Sequence, residues 1–224
     1  MDKKIYSKYD KLIFVSDDNL KKFEEVYKNN VEKQVIYNYL NKDMVIEKSN
    51  EKPDVKFNEN NINFVTVARL VQQKALDRLI SVHSKLIKEG YKHNFYIIGD
   101  GPEKDKLEKM VNDNQVQKTF KILGKRENPY PYIKQADYFC LLSHFEGYGM
   151  VLEEAKILNK YILITDTAAR EVVKDYKNSQ IFENSEDGIY NGLKNNINKK
   201  QINNTQTDYN NKHIIEKIIE LVGE

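Results

Sequence analysis

The sequence predicts an α/β fold in which helices cover both faces of a doubly wound parallel sheet. Short apolar runs rich in Val, Ile, Phe and Tyr alternate along the chain with amphipathic helical patterns. Several of the apolar runs end in turns that hold glycine or charged residues. Strands that alternate with helices form parallel βαβ units, because a helix is the usual crossover between two parallel strands.

The elements follow in chain order. The expected strands are residues 12–16, 35–37, 62–68, 95–98, 120–123, 138–142 and 161–165. The expected helices are residues 17–27, 74–89, 102–112 and 129–135, a helix that begins near Gly149, and residues 213–222.

The domain organisation follows from composition. We expect residues 1–50 to form a lead-in segment, 62–193 the main α/β domain, and 194–224 a polar linker with a C-terminal helix. Residues 48–61 are polar, contain Pro53 and are predicted to be a loop. Residues 195–212 are rich in Asn, Lys and Gln, and we expect them to be loosely ordered.

Composition and charge exclude several classes of protein. The net charge is only +2, which gives no electrostatic case for binding nucleic acid. The single cysteine, Cys140, excludes an internal disulfide framework. No apolar run approaches the roughly 20 residues of a membrane span, and residues 1–4 lack the apolar core of a signal peptide. We therefore expect a cytoplasmic protein, with room for peripheral contact at the inner face of the membrane.

The most informative turn follows the strand expected at residues 138–142. A strand, a glycine turn and a helix N-terminus together present free backbone N–H groups to an anion. Glu146 and Glu154 flank this turn with seven residues between them, and both could accept hydrogen bonds from hydroxyl groups. A sugar nucleotide is a ligand that could place its phosphate on these amides and its hydroxyl groups on these carboxylates.

Glu154 lies on the apolar side of the helix that follows the turn. At about 100° per residue it shares an arc with Ala155 and Leu158, whereas Glu153 and Lys156 are expected to face water. A carboxylate on an apolar arc needs a partner. That partner is either a ligand or a protein group, such as a neighbouring loop or a buried Lys or Arg.

Other loops at expected strand ends carry glycines or charges, and ligands bind beyond the C-terminal ends of parallel strands. Arg69 and Lys74 lie on one loop and could hold a diphosphate, or could be ordinary surface cations. Residues 99–102, Gly-Asp-Gly-Pro, form a common turn that is a weak signal alone. Lys125 and Arg126 follow the strand at 120–123.

Together these loops resemble a known family. In order and spacing, residues 64–70, Lys74, 98–103 and 146–154 are similar to the C-terminal, donor-binding half of retaining glycosyltransferases of family 4, also called group 1. The resemblance runs from about residue 9 to about residue 193. It implies a Rossmann-like domain of the two-domain GT-B fold, with the active site between the two domains.

The resemblance also implies catalytic roles. Arg69 and Lys74 match the residues that hold the donor diphosphate, and Glu146 matches the glutamate near the donor sugar. We expect these three to carry catalysis. Glu154 matches the glutamate that holds the ribose hydroxyls.

The remaining donor-binding positions come from two loops. Lys125 and Arg126 match the wall near the nucleobase. The amides that match the turn touching sugar and phosphate belong to Gly147, Tyr148, Gly149 and Met150.

The sequence departs from the family at several alanines. The family usually or frequently has glycine at the positions of Ala68, Ala75, Ala168 and Ala169, and an alanine there adds a methyl group and disfavours positive φ. A larger departure is that only one of the two expected domains is present.

The sequence therefore predicts the donor-binding domain of an enzyme that moves a hexosyl unit from a nucleoside-diphosphate sugar, first of all a UDP-sugar, to a glycan or other acceptor. The N-terminal acceptor-binding domain is expected in cis or as a partner chain, so the isolated chain should not transfer sugar. No metal or other cofactor is expected. The alternatives are a non-catalytic or partner-dependent subunit, or an epimerase or phosphorylase of the same fold. We expect His83 to lie in the core and His144 to pack or line the cleft.

Overall fold

The computed structural model describes residues 5–199 and 212–223. The described chain divides into two compact units, of which the first holds residues 5–41 and 212–223 and the second holds residues 42–199. No helix among these residues is both long and apolar enough to cross a bilayer. The domain boundaries expected from the sequence stay predictions.

The secondary structure alternates as expected. The described strands are β1 (Lys11–Phe14), β2 (Glu32–Val35), β3 (Ile62–Val67), β4 (His93–Ile98), β5 (Phe120–Gly124), β6 (Tyr138–Leu141), β7 (Tyr161–Thr165) and β8 (Ser179–Phe182). The described helices are α1 (Asp17–Val26), α2 (Lys42–Lys48), α3 (Leu76–Lys88), α4 (Lys104–Asp113), α5 (Tyr130–Gln135), α6 (Met150–Ile157), α7 (Arg170–Val173), α8 (Glu186–Ile197) and α9 (Lys212–Val222).

The second unit contains one six-stranded sheet in the order β5-β4-β3-β6-β7-β8, and every neighbouring pair is parallel. The chain first builds the sheet outward from β3 to β5, and it then crosses back to β6 and builds outward in the other direction. This order confirms the predicted doubly wound fold. It places the point of reversal between β3 and β6, where such sheets bind ligands beyond the strand ends.

Aromatic side chains form the centre of the sheet core. The rings of Phe64 and Phe95 stack with centroids 4.8 Å apart, and Tyr138 stacks on Phe64 at 5.0 Å. Helix α3 packs on this face: its buried residues recur at helical spacing, and its buried apolar side chains belong to the same hydrophobic core as the strand aromatics. His83 is one of them, as expected, and its Nδ1 lies 2.8 Å from Nε2 of His93.

The first unit is small. Strands β1 and β2 form a parallel pair, and helix α1 begins at the predicted N-cap, where Ser16 Oγ accepts a hydrogen bond of 3.2 Å from the amide of Asn19. Strand β2 covers Glu32–Val35 rather than the predicted residues 35–37.

Four elements of the second unit were not predicted: α2, α7, β8 and α8. Helix α8 runs to Ile197, so the expectation that the chain is loosely ordered from residue 195 is wrong for residues 195–197. Ser185 caps this helix, and Ile189, Leu193 and Ile197 recur every four residues on its buried face. The same expectation is wrong for Lys212, which begins α9. Residues 200–211 of that segment lie outside the described residues.

Candidate functional site

The candidate site is built from the loops that follow β3 and β6. The amide of His144 donates to the carbonyl of Gln73 at 3.0 Å, and the Gln73 side chain donates to the carbonyl of Phe145 at 2.9 Å. Next to these bonds the ammonium of Lys74 forms an ion pair with the carboxylate of Glu146. Their side chains are only 15% and 12% exposed. Two of the three residues expected to be catalytic are thus in direct contact.

Arg69, the third, lies on the same loop as Lys74 and is exposed. Within the described residues its guanidinium makes no hydrogen bond or ion pair. The structure therefore places a charged group at this strand end without a counter-ion, and it does not bring Arg69 into contact with Glu146.

The glycines of residues 99–102 support the Arg69 loop. The amide of Leu70 donates to the carbonyl of Asp100 at 2.9 Å. A Cβ at Gly99 would lie 1.8 Å from the carbonyl oxygen of Ala68, and one at Gly101 would lie 2.5 Å from that of Leu70. The turn at residues 99–102, which is a weak signal by itself, is therefore required for two loops to approach each other closely.

The turn between β6 and α6 presents backbone donors. Gly149 precedes the helix with φ of 73°, and no side chain caps the helix there. Within the described residues, the amides of Gly147, Gly149 and Met150 donate to no protein acceptor. A Cβ on Gly147 would meet no atom within 4 Å, so the space beside this turn is open. The geometry is that of an anion site at a helix N-terminus.

Glu153 was expected to face water, and this is wrong. It is 7% exposed, accepts a hydrogen bond of 2.9 Å from the hydroxyl of Tyr148, and lies 3.0 Å from the ammonium of Lys156. Lys156 also donates to the carbonyl of Val172 at 3.1 Å. The expectation assumed one covered face, whereas α6 packs against α2, β7 and α7 and is covered on more than one side. The contact with Glu153 fixes Tyr148, which lies on the turn.

Glu154 finds a partner that the sequence did not suggest. Its Oε1 accepts a hydrogen bond of 3.2 Å from the hydroxyl of Tyr130, at the start of α5. Burial raises the pKa of Glu154, and this hydrogen bond opposes the rise. Burial and the neighbouring carboxylate raise the pKa of Tyr130 to about 12. The partner is neither a loop nor a Lys or Arg. The sequence offered one indication of it, which is that Tyr130 directly follows Pro129 near the loop at the end of β5.

Lys125 and Arg126 differ in their surroundings. Lys125 is exposed. Arg126 donates 2.8 Å to the carboxylate of Asp54, 2.6 Å to the carbonyl of Leu123 and 3.2 Å to the hydroxyl of Tyr132. Its guanidinium therefore joins the segment before β3 to α5. A role for Arg126 at a nucleobase stays a proposal.

Two further residues that the sequence analysis did not single out, Arg78 and Asn184, hold the segment after β6 in place. Arg78 donates to the carbonyl of Leu142 at 3.2 Å and to the amide oxygen of Asn184 at 2.9 Å. Asn184 in turn donates to the carbonyl of His144 at 2.9 Å, while the His144 side chain is exposed. No motif marked Arg78 or Asn184, because their role depends on α3 and the loop between β8 and α8 meeting the end of β6 in space.

Of the alanines at glycine positions of the family, only Ala75 has positive φ, at 52°. It precedes α3 directly and is fully buried. The concern about strained backbone therefore applies to one of four positions.

Among the described residues, no three His, Cys, Asp or Glu side chains come together as a candidate metal site.

Comparison with known proteins identifies relatives. The family model described as "Glycosyl transferases group 1" matches residues 47–213. An uncharacterised glycosyltransferase of Methanocaldococcus jannaschii is 28% identical over 76% of this chain and 44% of its own length. A Campylobacter jejuni N-acetylgalactosaminyltransferase that acts on a diphospho-undecaprenol is 27% identical over 85% of this chain and 51% of its own length. The chain thus spans about half the length of these curated relatives.

A solved structure confirms the fold. Staphylococcus aureus TarM, crystallised as a variant with UDP among its ligands, superposes with a TM-score of 0.77 at 20% identity. The match covers 97% of this chain and 45% of TarM. Our chain corresponds to the C-terminal part of the GT-B fold.

Proposed function

This chain belongs to the group 1 family of glycosyl transferases, and we propose from that premise that it holds the donor of a retaining glycosyltransferase. The donor would be a nucleoside-diphosphate sugar, and the group transferred a hexosyl unit. The nucleotide would lie in the crevice where the sheet order reverses, beyond the ends of β3 and β6.

The observation that carries the proposal is the contact between Lys74 and Glu146 beside a helix N-terminus. In a nucleotide sugar, the bond that breaks joins the sugar to the diphosphate. A cation for the phosphate and an acidic group for the sugar should therefore be neighbours at the reaction centre. The loops after β3 and β6 bring these two groups together, and the turn that presents backbone donors directly follows Glu146.

Each group has a distinct proposed task. Lys74, Arg69 and the amides from Gly147 to Met150 would stabilise negative charge as the diphosphate departs, which is electrostatic catalysis by groups already in place. Glu146 would contact the sugar. Glu154 would accept hydrogen bonds from the ribose hydroxyls.

The base would lie near the loop at Lys125 and Arg126. Arg126 is held by Asp54, whereas the exposed side chain of Lys125 makes no hydrogen bond or ion pair with any residue that the structure describes, so Lys125 is the better candidate for direct contact. UDP is the first nucleotide to test, since a structural neighbour was crystallised with it.

An acceptor-binding domain would complete the enzyme, in cis or as a partner chain. Two observations support this. The chain spans 44% and 51% of the curated relatives described above. In the described part of the first unit, β1 and β2 form a parallel sheet of two strands, and all-parallel sheets occur almost only where both faces are covered. We therefore expect nucleotide binding but little sugar transfer by the 224 residues alone.

The test is calorimetric titration of UDP, GDP and ADP into the wild-type chain and into Arg69→Ala, Lys74→Ala and Glu154→Gln. We expect one nucleotide to bind and all three substitutions to weaken it, since losing a hydrogen bond to a charged group costs about 1.5–3 kcal/mol. Lys118→Ala, a change at an exposed lysine outside these loops, is the control. Unchanged affinity in both cation variants would refute the diphosphate site.

We further propose that binding and transfer need no metal, because protein cations and amides would carry the diphosphate charge. Titrations in EDTA and in magnesium should give the same dissociation constant. A dependence of affinity on magnesium of tenfold or more would contradict this.

A further inference from the structure

We infer that Tyr130 is a positioning residue for the nucleotide: its hydroxyl group holds the Glu154 carboxylate in the orientation that receives the ribose hydroxyls. This rests on the proposed function, in which Glu154 contacts the ribose. Tyr130 is not among the residues that carry the family resemblance, and the inference comes from its hydrogen bond across from α5 to α6.

Tyr130 is well fixed for such a task. Its side chain is buried, and its backbone amide donates to the side-chain oxygen of Asn128 at 3.1 Å. Further along α5, Tyr132 donates to the carboxylate of Asp54, and Gln135 exchanges hydrogen bonds with the backbone at Val55 and Phe57. Helix α5 is therefore anchored along its length, and the hydroxyl of Tyr130 has a defined position.

The hydrogen bond leaves Glu154 able to bind a ligand. A carboxylate has two oxygens and about four lone-pair sites. Tyr130 occupies one site on Oε1, and within the described part of the chain no other side chain hydrogen-bonds to Glu154. Oε2 stays available to a neighbouring diol, with its direction set by the bond on the other oxygen.

The same bond favours the charged form of Glu154. Burial raises the pKa of this carboxyl group, and the Tyr130 hydroxyl lowers it again by donating to the carboxylate. The other titratable groups on the elements packed against α6 make no hydrogen bond to Glu154; on α2, β7 and α7 they are Lys42, Asp43, Glu47, Lys48, Tyr161, Arg170 and Glu171. Removing the hydroxyl should therefore raise the pKa of Glu154 as well as loosen its side chain.

The experiment compares Tyr130→Phe, Glu154→Gln and the double variant by calorimetric titration of UDP, GDP and ADP between pH 5 and 8. We expect Tyr130→Phe to weaken binding of the nucleotide by about 5–10-fold, which is less than the direct loss of a charge-assisted hydrogen bond, because Tyr130 acts through Glu154 and does not itself contact the ligand. In the Glu154→Gln background the same change should have no further effect, because the two residues act together. In Tyr130→Phe, the loss of binding at low pH should begin at a higher pH than in wild type.

Tyr132→Phe is the matched control. It removes a hydroxyl from the same helix, but that hydroxyl contacts Asp54 and Arg126 instead of Glu154. It should leave both the affinity and the pH profile unchanged, even where it lowers the melting temperature.

The outcomes separate the inference from the proposed function. If Glu154→Gln binds nucleotide as tightly as wild type, the ribose role of Glu154 fails and the inference fails with it. If Glu154→Gln weakens binding but Tyr130→Phe does not, only the inference is overturned. Losses that add independently in the double variant, or a pH profile that Tyr130→Phe leaves in place, would also overturn it. All the Tyr→Phe variants keep the aromatic ring, and their melting temperatures verify folding.

Discussion

Replacing Glu146 by glutamine should destabilise the free protein and strengthen its response to nucleotide. In the free protein the carboxylate of Glu146 neutralises the ammonium of Lys74. Glu146→Gln leaves that ammonium without a counter-ion in a largely buried position. A diphosphate would supply the missing negative charge, so the variant has more to gain from the ligand than wild type.

The magnitude follows from the burial of the pair. An exposed ion pair contributes about 0–1 kcal/mol, and breaking a fully buried one costs about 3–5 kcal/mol. Side chains 15% and 12% exposed lie between these limits, so we expect a loss of about 2 kcal/mol. At roughly 2–4 °C per kcal/mol for a domain of this size, the melting temperature of the free variant should fall by about 4–8 °C.

The assay is thermal unfolding of both proteins without nucleotide and with one fixed concentration of the nucleotide that binds. That concentration is about 100 times the dissociation constant of the wild type, where the ligand contributes about 2.7 kcal/mol to wild-type stability. We expect the gap between variant and wild type to shrink by at least half when nucleotide is present, and sugar transfer by the complete enzyme to fall. Asp166→Asn is the control, because it breaks an ion pair with Arg170 whose side chains are 49% and 61% exposed. A gap that is the same with and without nucleotide would refute the reasoning.

Three further predictions concern other parts of the second unit. Ala75→Gly should raise the free energy of unfolding by up to about 1 kcal/mol, since glycine adopts the left-handed conformation without the strain of about 1–2 kcal/mol that alanine has there, while the lost methyl group costs about 0.8 kcal/mol. Denaturant titration should show Ala155→Gly, within helix α6, losing about 1–2 kcal/mol instead. Stability should fall as pH drops from about 6.5 towards 4, because burial holds the pKa of His93 at about 4 and that of His83 well below its usual value, so that the unfolded chain binds more protons in this range. A His83→Gln/His93→Gln variant whose stability keeps the same pH slope would contradict this. Gly147→Ala should leave the melting temperature unchanged, because its new methyl group meets no protein atom, yet should weaken nucleotide binding at least tenfold; normal affinity would mean that no ligand approaches this turn.

The sheet could be predicted because several of its buried strands contain continuous apolar runs, of which β6 is an example. Strand β8 escaped prediction because it lies at the sheet edge and has only two apolar residues in four, Ile181 and Phe182. Helix α8 contains Gly188 and Gly192, which lower helix propensity. The reason for Gly192 is tertiary, since a Cβ there would lie 2.4 Å from the ring of Phe182.

The candidate site, too, could be predicted from the sequence only in part. Charges and glycines at strand ends are visible in the sequence, so Lys74, Glu146 and Glu154 could be singled out. Which groups pair depends on the order of the strands and on the orientation of α5, and local spacing contains neither. That is why the contact of Tyr130 with Glu154 had to come from the structure. Glu153 was misjudged for a related reason, since a helical arc shows which residues share a side but not how many sides are covered.

The ion pair between Lys74 and Glu146 also has a consequence for the order of events during synthesis. The two residues are 72 positions apart, and their loops meet only when β6 has added beside β3. Strands β3, β4 and β5 are neighbours in sequence order and can pair while the later chain is still on the ribosome, because short-range contacts form before long-range ones. Under the proposed function, nucleotide would therefore protect only chains in which β6 has already added beside β3, and nascent chains released before Glu146 should pass through a nucleotide resin without being retained.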